Sequence, residues 1–277
     1  MYFKIPLNDP AMLTFTYPNA TPSPASVSLD ATSWQSKSPV ITWRGQGANS
    51  TDNDPEFKIG PHASPIEMPF RVKSMKKRTV KLSVFPVRHD PNKPNITMPS
   101  KTSLEAWLDQ VYGNQINAWF EVTYHAQTDY DYTPTGNQTF MDPQLEGMAG
   151  ETAYSVPIDV PLRIFIIDAE LYETTPAMFA LAGIASVATS SGFVINHHPS
   201  GAPRNEQEMN EVIAHELGHL LLGGGHPDEN GGFAPLYGTN RSNRLMCSGY
   251  NRTPGAKLLV KTEWDRAESW LRNALNE

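Results

Sequence analysis

Between Asn205 and His226 the chain reads NEQEMNEVIAHELGHLLLGGGH, and this stretch decides how the surrounding fold is read. Asn205 followed three residues later by Glu208 has the form of a capping box, in which each side chain satisfies the other residue's backbone N–H. Met209, Val212, Ile213, Leu217, Leu220 and Leu221 recur at helical spacing and predict one buried stripe. Gly223, Gly224 and Gly225 end the helix. Inside it, His215 and His219 stand four apart, which on a helix means ~6 Å along the axis and ~40° around it. Both imidazoles therefore project from one side and suit a single tetrahedral metal ion. Glu216 is turned by ~100° from His215, out of the ligand set but within reach of a metal-held water, where a general base must stand. His226 lies just beyond the glycines, so a chain leaving the helix returns a third imidazole to the same ion.

Outward from this helix the pattern is strand-rich. Val80, Leu82 and Val84 alternate as a half-buried strand does. Thr102 stands three before Glu105, a second capping box, and Leu104, Trp107, Leu108, Val111 and Tyr112 follow at helical spacing until Gly113 stops the helix. Ala118, Phe120, Val122 and Tyr124 form the next strand. A polar loop leads to the compact apolar runs Leu162–Ile167 and Phe193–Asn196, with the small-residue stretch Leu181–Thr189 between them. The chain closes in a helix from Thr262, where Trp264, Ala267, Leu271 and Leu275 make a core-facing row and Asp265 completes a capping-box-like start.

The first third differs: 14 of the 24 prolines precede residue 100, and no helical period appears there. Short strands such as Met12–Tyr17 and Val40–Arg44 predict a small β unit ending near Arg78. Five positive charges, Arg71, Lys73, Lys76, Lys77 and Arg78, mark the junction as a solvated linker or strand edge, or else as a processing site or an anion patch. The division expected is therefore residues 1–78 and 79–277.

The 277 residues carry 22 Lys+Arg against 29 Asp+Glu, a net charge of −7, with 39% hydrophobic residues. That composition excludes a disordered chain, and the acidic balance argues against nucleic acid or an anionic membrane as the main partner. The longest nearly apolar stretch, Ala177 to Ala188, is shorter than the ~18–20 residues a membrane span requires. Met1–Phe15 lacks the basic start and apolar run of a signal peptide. The single cysteine, Cys247, excludes an intramolecular disulfide.

The span His215–His226, with the later Arg244-Leu245-Met246-Cys247-Ser248-Gly249-Tyr250, resembles the metzincin clan of zinc endopeptidases over about Thr79 to Glu277. The resemblance implies an α+β fold. A twisted mixed sheet with a backing helix and an active-site helix would precede a small C-terminal subdomain holding a Met-turn and a C-terminal helix. It implies one catalytic Zn2+ on His215, His219 and His226, Glu216 as general base, Met246 in the Met-turn, and Ile184, Ala185 and Ser186 as the edge strand that aligns substrate. The substrate class implied is protein or peptide, and the placement implied is extracellular or cell-surface. The match has two departures. His226 stands seven positions after His219 where the clan has six, with Leu222 at the usual glycine position, a slip that three glycines can absorb through φ > 0. Asp228 is the substitute ligand. Tyr250 falls four residues past Met246 rather than two, which leaves it either an oxyanion or auxiliary donor or a packing residue.

Other readings stand beside this one. A different zinc peptidase arrangement would take Glu263 as third ligand. A binding or adhesion protein would keep the zinc in an inactive protease-like domain, with residues 1–78 as its attachment module rather than an accessory or pro-like domain. Cys247 reads as a buried thiol or a redox or metal contact, and His197 and His198 as loop or cleft-rim residues. His62, His89 and His125 have no partners at ligand spacing. Asp52, Asp54 and Glu56, with Asp228 and Glu229, match no calcium loop and read as solvated.

Overall fold

The computed structural model describes residues 77–130, 142–172, 180–223, 226, 243–248, 252–259 and 261–276, with backbone alone at 142, 170–172, 180 and 261–262 and at the short strands 2–4, 11–16, 40–42, 56–61, 68–71 and 139–140. Its contacts divide the chain into Met1–Lys77 and Arg78–Glu277.

In the first unit β1 (Tyr2–Lys4) pairs antiparallel with β3 (Val40–Thr42). A separate antiparallel sheet runs β2 (Ala11–Thr16), β4 (Glu56–Pro61), β5 (Met68–Arg71), so Glu56 opens a strand rather than lying in a solvated loop. Asp52, Asp54 and His62 lie outside the described residues.

The second unit is a mixed sheet with helices on both faces. Its main strands are β6 (Arg78–Arg88), β7 (Ala118–Tyr124), β10 (Leu162–Ile167), β13 (Gly183–Ser186) and β14 (Ser191–Ile195), in the spatial order β13-β14-β10-β6-β7, with the short β8 (Thr128–Asp129) on the end of β6. All are parallel except β13, which runs antiparallel to β14 at the sheet's edge. A smaller sheet joins β9 (Thr139–Phe140), β11 (Glu170–Tyr172) and β12 (Ala180–Leu181). Arg78, counted with the junction in the sequence reading, is the buried first residue of β6. The half-buried alternation of β6 holds only to Lys81; from Leu82 to Val87 every residue is buried, because β7 and β10 flank the strand and both faces are covered.

One face carries an aromatic ladder across three parallel strands. Phe85 stacks on Phe165 and Phe165 on Phe193, at centroid distances of 5.3 and 5.2 Å. His125 closes the row over Phe85 at 4.1 Å. Each such pair adds about 0.5–1.5 kcal/mol beyond its buried area. Leu145 and Met148, from the helix α3 (Asp142–Gly150), cover this face; the polar-loop expectation contained neither that helix nor β9.

The helix after β6 departs from its expected caps. Ser100, not Thr102, is the N-cap of α1 (Lys101–Leu108), and Glu105 accepts from the Val122 N–H instead of closing a capping box. Gly113 does not stop the helix either. A π-helical turn over Asp109–Gly113 and the short α2 (Asn114–Ile116) carry it on to Asn117, whose φ of 56° ends it. Gly113 serves packing: a Cβ there would meet the Trp119 ring at 3.2 Å.

The central helix α4 (Glu206–Leu222) packs against β13, β14, α1 and the last helix, α5 (Lys261–Ala274), whose Ala267 and Leu271 are fully buried. The Thr262 side chain lies outside the described residues. No described helix is long and apolar enough to cross a membrane.

Candidate metal centre

The helix that carries two of the three clustered histidines is fixed at both ends by its own sequence. Asn205 Oδ1 accepts from the Glu208 N–H at 3.0 Å, and Glu208 Oε2 accepts from the Asn205 N–H at 2.8 Å. The same Glu208 oxygen holds His198 Nε2 at 3.2 Å, and His197 Nε2 donates to the Asp168 carbonyl at 3.2 Å, so both histidines tie the loop entering α4. At the far end Gly223 takes φ 61°, and its N–H donates to the His219 carbonyl at 3.2 Å.

His215 is buried, and its Nδ1 lies 2.7 Å from the Leu245 carbonyl oxygen. A carbonyl only accepts, so Nδ1 carries the proton and Nε2 presents a lone pair. Burial first, and then the nearby Arg252 charge, hold this imidazole well below its ordinary pKa and keep it neutral. His215 Nε2 is 3.0 Å from His226 Nε2 and 3.2 Å from His219 Nε2, and one nitrogen from each ring falls within 4.8 Å of the others. Tetrahedral nitrogen ligands at zinc's bond length stand about 3.3 Å apart, so the trio has the size of a zinc site. Among the described residues it is the one group of three His, Cys, Asp or Glu able to hold an ion.

Glu216 follows the first histidine and is 3% exposed, with no hydrogen-bond partner at Oε2. Burial pushes its carboxyl up to about 8, against an opposing pull from Arg252. Its side chain lies against Gly183 of β13 and Gly192 of β14.

Below the histidines the chain returns as 243–248. Met246 is buried with its sulfur against Gly218, and Leu245 supplies the carbonyl that orients His215. Arg252 Nη1 donates to that carbonyl as well, at 3.1 Å, and Tyr112 Oη donates to the Ala214 carbonyl at 2.5 Å. Neither Arg252 nor Tyr112 was legible as a site residue. Tyr112 reads as one apolar position of the helix that follows β6, and the sequence around Arg252 has no period to mark it. Gly183 and Gly192 were equally hidden, since a glycine in a strand announces close approach without naming what approaches.

Glu263, the rival third ligand, is elsewhere: its Oε1 accepts from Arg244 Nη2 at 2.6 Å, and both residues are buried. His89 is bonded to Asp168 through Nδ1, and His125 Nε2 lies 3.0 Å from Ser83 Oγ. Cys247 is buried. Tyr250, Asp228, Glu229, Gly224 and Gly225 lie outside the described residues.

The edge strand β13 is in register Gly183↔Val194, Ile184↔Phe193, Ala185↔Gly192 and Ser186↔Ser191. Ile195 donates to the Ala182 carbonyl at 3.1 Å, which makes Ala182, Ile184 and Ser186 the hydrogen-bonded positions of the ladder. Gly183 and Ala185 therefore turn their N–H and C=O groups to the outer side, where no described strand pairs with β13.

The sequence matches no protein-family model and no curated protein. Among solved structures the chain is similar to archaemetzincin from Archaeoglobus fulgidus, at 13% identity and TM-score 0.39 over 68% of this chain and 99% of that one. It is similar to archaemetzincin from Methanopyrus kandleri, at 14% identity and TM-score 0.39 over 72% of this chain and 96% of that one. A zinc-dependent peptidase from Methanocorpusculum labreanum aligns at 14% identity and TM-score 0.41, over 66% of this chain and 99% of that one.

Proposed function

We propose that the chain is a metzincin-like zinc endopeptidase, holding one ion on His215, His219 and His226 and using Glu216 as the general base. The observation that carries this reading is the convergence of three imidazole nitrogens, with His215 locked by Leu245 in the tautomer a ligand needs and a carboxylate one residue away. Structural zinc is normally closed by four protein ligands, often cysteine, whereas three histidines leave a position open for chemistry.

The chemistry supplied by zinc in such a trio is Lewis acidity, which brings the pKa of water toward ~7. Glu216, whose ionised form a dication on the three histidines would favour against its burial, takes a proton from the attacking water on its carboxylate and returns it to the amine nitrogen that departs from the cleaved bond. Its walled, nearly dry setting strengthens every charge interaction made there. Gly183 and Ala185 offer backbone groups to an extended peptide, which would add to the sheet as a further strand, and selectivity would come from side-chain pockets. Met246 forms the floor as a Met-turn residue, and Tyr250 is an oxyanion or auxiliary donor. On this reading residues 1–78 are an accessory or pro-like domain, and the protein works outside the cell or at its surface.

The test is hydrolysis of casein and of a peptide library, with zinc measured on the same sample. One zinc per chain is expected, with chelator-sensitive cleavage that Glu216→Ala abolishes while the zinc stays bound. Zinc-loaded protein that cleaves nothing would favour the binding or adhesion reading.

A further inference from the structure

Gly183 is where the sheet's open edge meets the carboxylate of Glu216. A Cβ added at Gly183 would lie 2.5 Å from Glu216 Oε1 and 2.8 Å from its Cδ and Cγ, and these are its three nearest heavy atoms. Real Cβ atoms do not come within 3.0 Å of such neighbours. The φ of Gly183 is outside the left-handed region, so the backbone itself accepts alanine and the nearest obstacle is the glutamate. Oε2 of Glu216 has no hydrogen-bond partner, so at that atom packing sets where the group stands. Gly192 supports the same side chain from the next strand, but there a Cβ would first meet Ile164 Cδ1, at 2.6 Å, and then Glu216 Cβ, at 3.1 Å. Of these two glycines, Gly183 is the one against the carboxylate end. Its own N–H and C=O meanwhile face outward, where an extended peptide would pair.

We propose that Gly183 is a positioning residue for the hydrolysis: its missing side chain sets the carboxylate of Glu216 against the edge strand, and its backbone sets the substrate against the same point. The proposal rests on the peptidase reading. One residue then fixes the distance between base and scissile peptide, and a methyl group there displaces the base without removing any reacting group. A misplacement of ~1 Å costs on the order of a hundredfold in rate.

The test compares the wild type, Gly183→Ala, Glu216→Asp and the double variant in the full chain. The readouts are kcat and KM on one peptide, zinc content, and the Tm of the metal-free protein. Gly183→Ala is expected to keep its zinc, to lose about a hundredfold in kcat with KM within about threefold, and to melt on the order of 5 °C lower. Shortening Glu216 to Asp makes room for the methyl, so in the Gly183→Ala background it recovers most of the lost Tm and lowers kcat far less than in the wild type. Wild-type kcat in Gly183→Ala, or a Tm loss that Glu216→Asp leaves untouched, overturns the proposal alone. Should Gly183→Ala not fold, Gly183→Ala with Glu216→Ala is expected to fold, and its failure overturns the proposal too. A wild type without metal-dependent hydrolysis overturns the peptidase reading and this proposal with it.

Discussion

Met246 Sδ fills the volume into which a side chain at Gly218 would project. Gly218 sits between Glu216 and His219, so the loop at 243–248 touches α4 through a glycine placed inside the histidine motif. Gly218→Ala drives a methyl into Met246 Sδ, with Met246 Cε at 3.2 Å and Tyr112 Oη at 3.3 Å as the next contacts. The expected loss is about 1–3 kcal/mol of stability. Met246→Ala alone costs about 2–5 kcal/mol through the cavity it leaves. Because the methyl fills part of that cavity, the double variant loses less than the sum, which urea denaturation of all three proteins measures.

Arg244 and Glu263 form a buried pair at 2.6 Å, joining the loop that carries Met246 to the start of α5. Glu263→Ala strands a buried guanidinium and is expected to cost about 3–5 kcal/mol. It should leave the zinc content of the folded protein unchanged, because Glu263 is not among the converging ligands. Loss of zinc at full stability would restore the rival ligand assignment. Chemical denaturation and metal analysis on one preparation separate the outcomes.

Much of the second unit was legible because its residues obey strong local rules. Asn205 and Glu208 cap α4 as the pattern predicts, β7 lies on the run marked by Ala118, Phe120, Val122 and Tyr124, and β10 and β14 lie where the compact apolar runs stand. His226 meets the other two imidazoles, as its place just past the glycines predicts, and Gly223 has a positive φ. The misses come from competition that local pattern does not carry. Thr102 and Glu105 have the form of a capping box, but Glu105 bonds across to β7, and Ser100 does the capping. Gly113 reads as a stop, but it is the close contact that lets Trp119 pack. The walls around Glu216 were invisible because they belong to glycines on two other strands.

Asn205→Ala removes one half of the capping box and is expected to lower stability by about 1 kcal/mol. The cap lies more than two helical turns from His215, so kcat of the folded protein should hold. Thermal melting and steady-state kinetics together check both parts.

Tyr112 is fully buried, and burial first, then the charges of Glu263 and Glu216, raise its phenol well above 10. Tyr154 is raised too, again chiefly by burial. Below a pH of ~10 both folded and unfolded chains keep these protons, and nothing is lost. Above it the unfolded chain ionises while the folded one does not, so stability falls as pH rises. Tyr112→Phe should make that fall shallower between pH 9 and 11, on the order of one proton's worth of slope, in urea titrations at each pH.

The proposed zinc trio is tested most directly by an anomalous-difference map collected at the zinc absorption edge from crystals of the full chain. One peak is expected, with His215 Nε2 and a ring nitrogen each from His219 and His226 at ~2.0–2.1 Å. A peak held by other residues, or no peak from zinc-supplemented protein, would contradict the account.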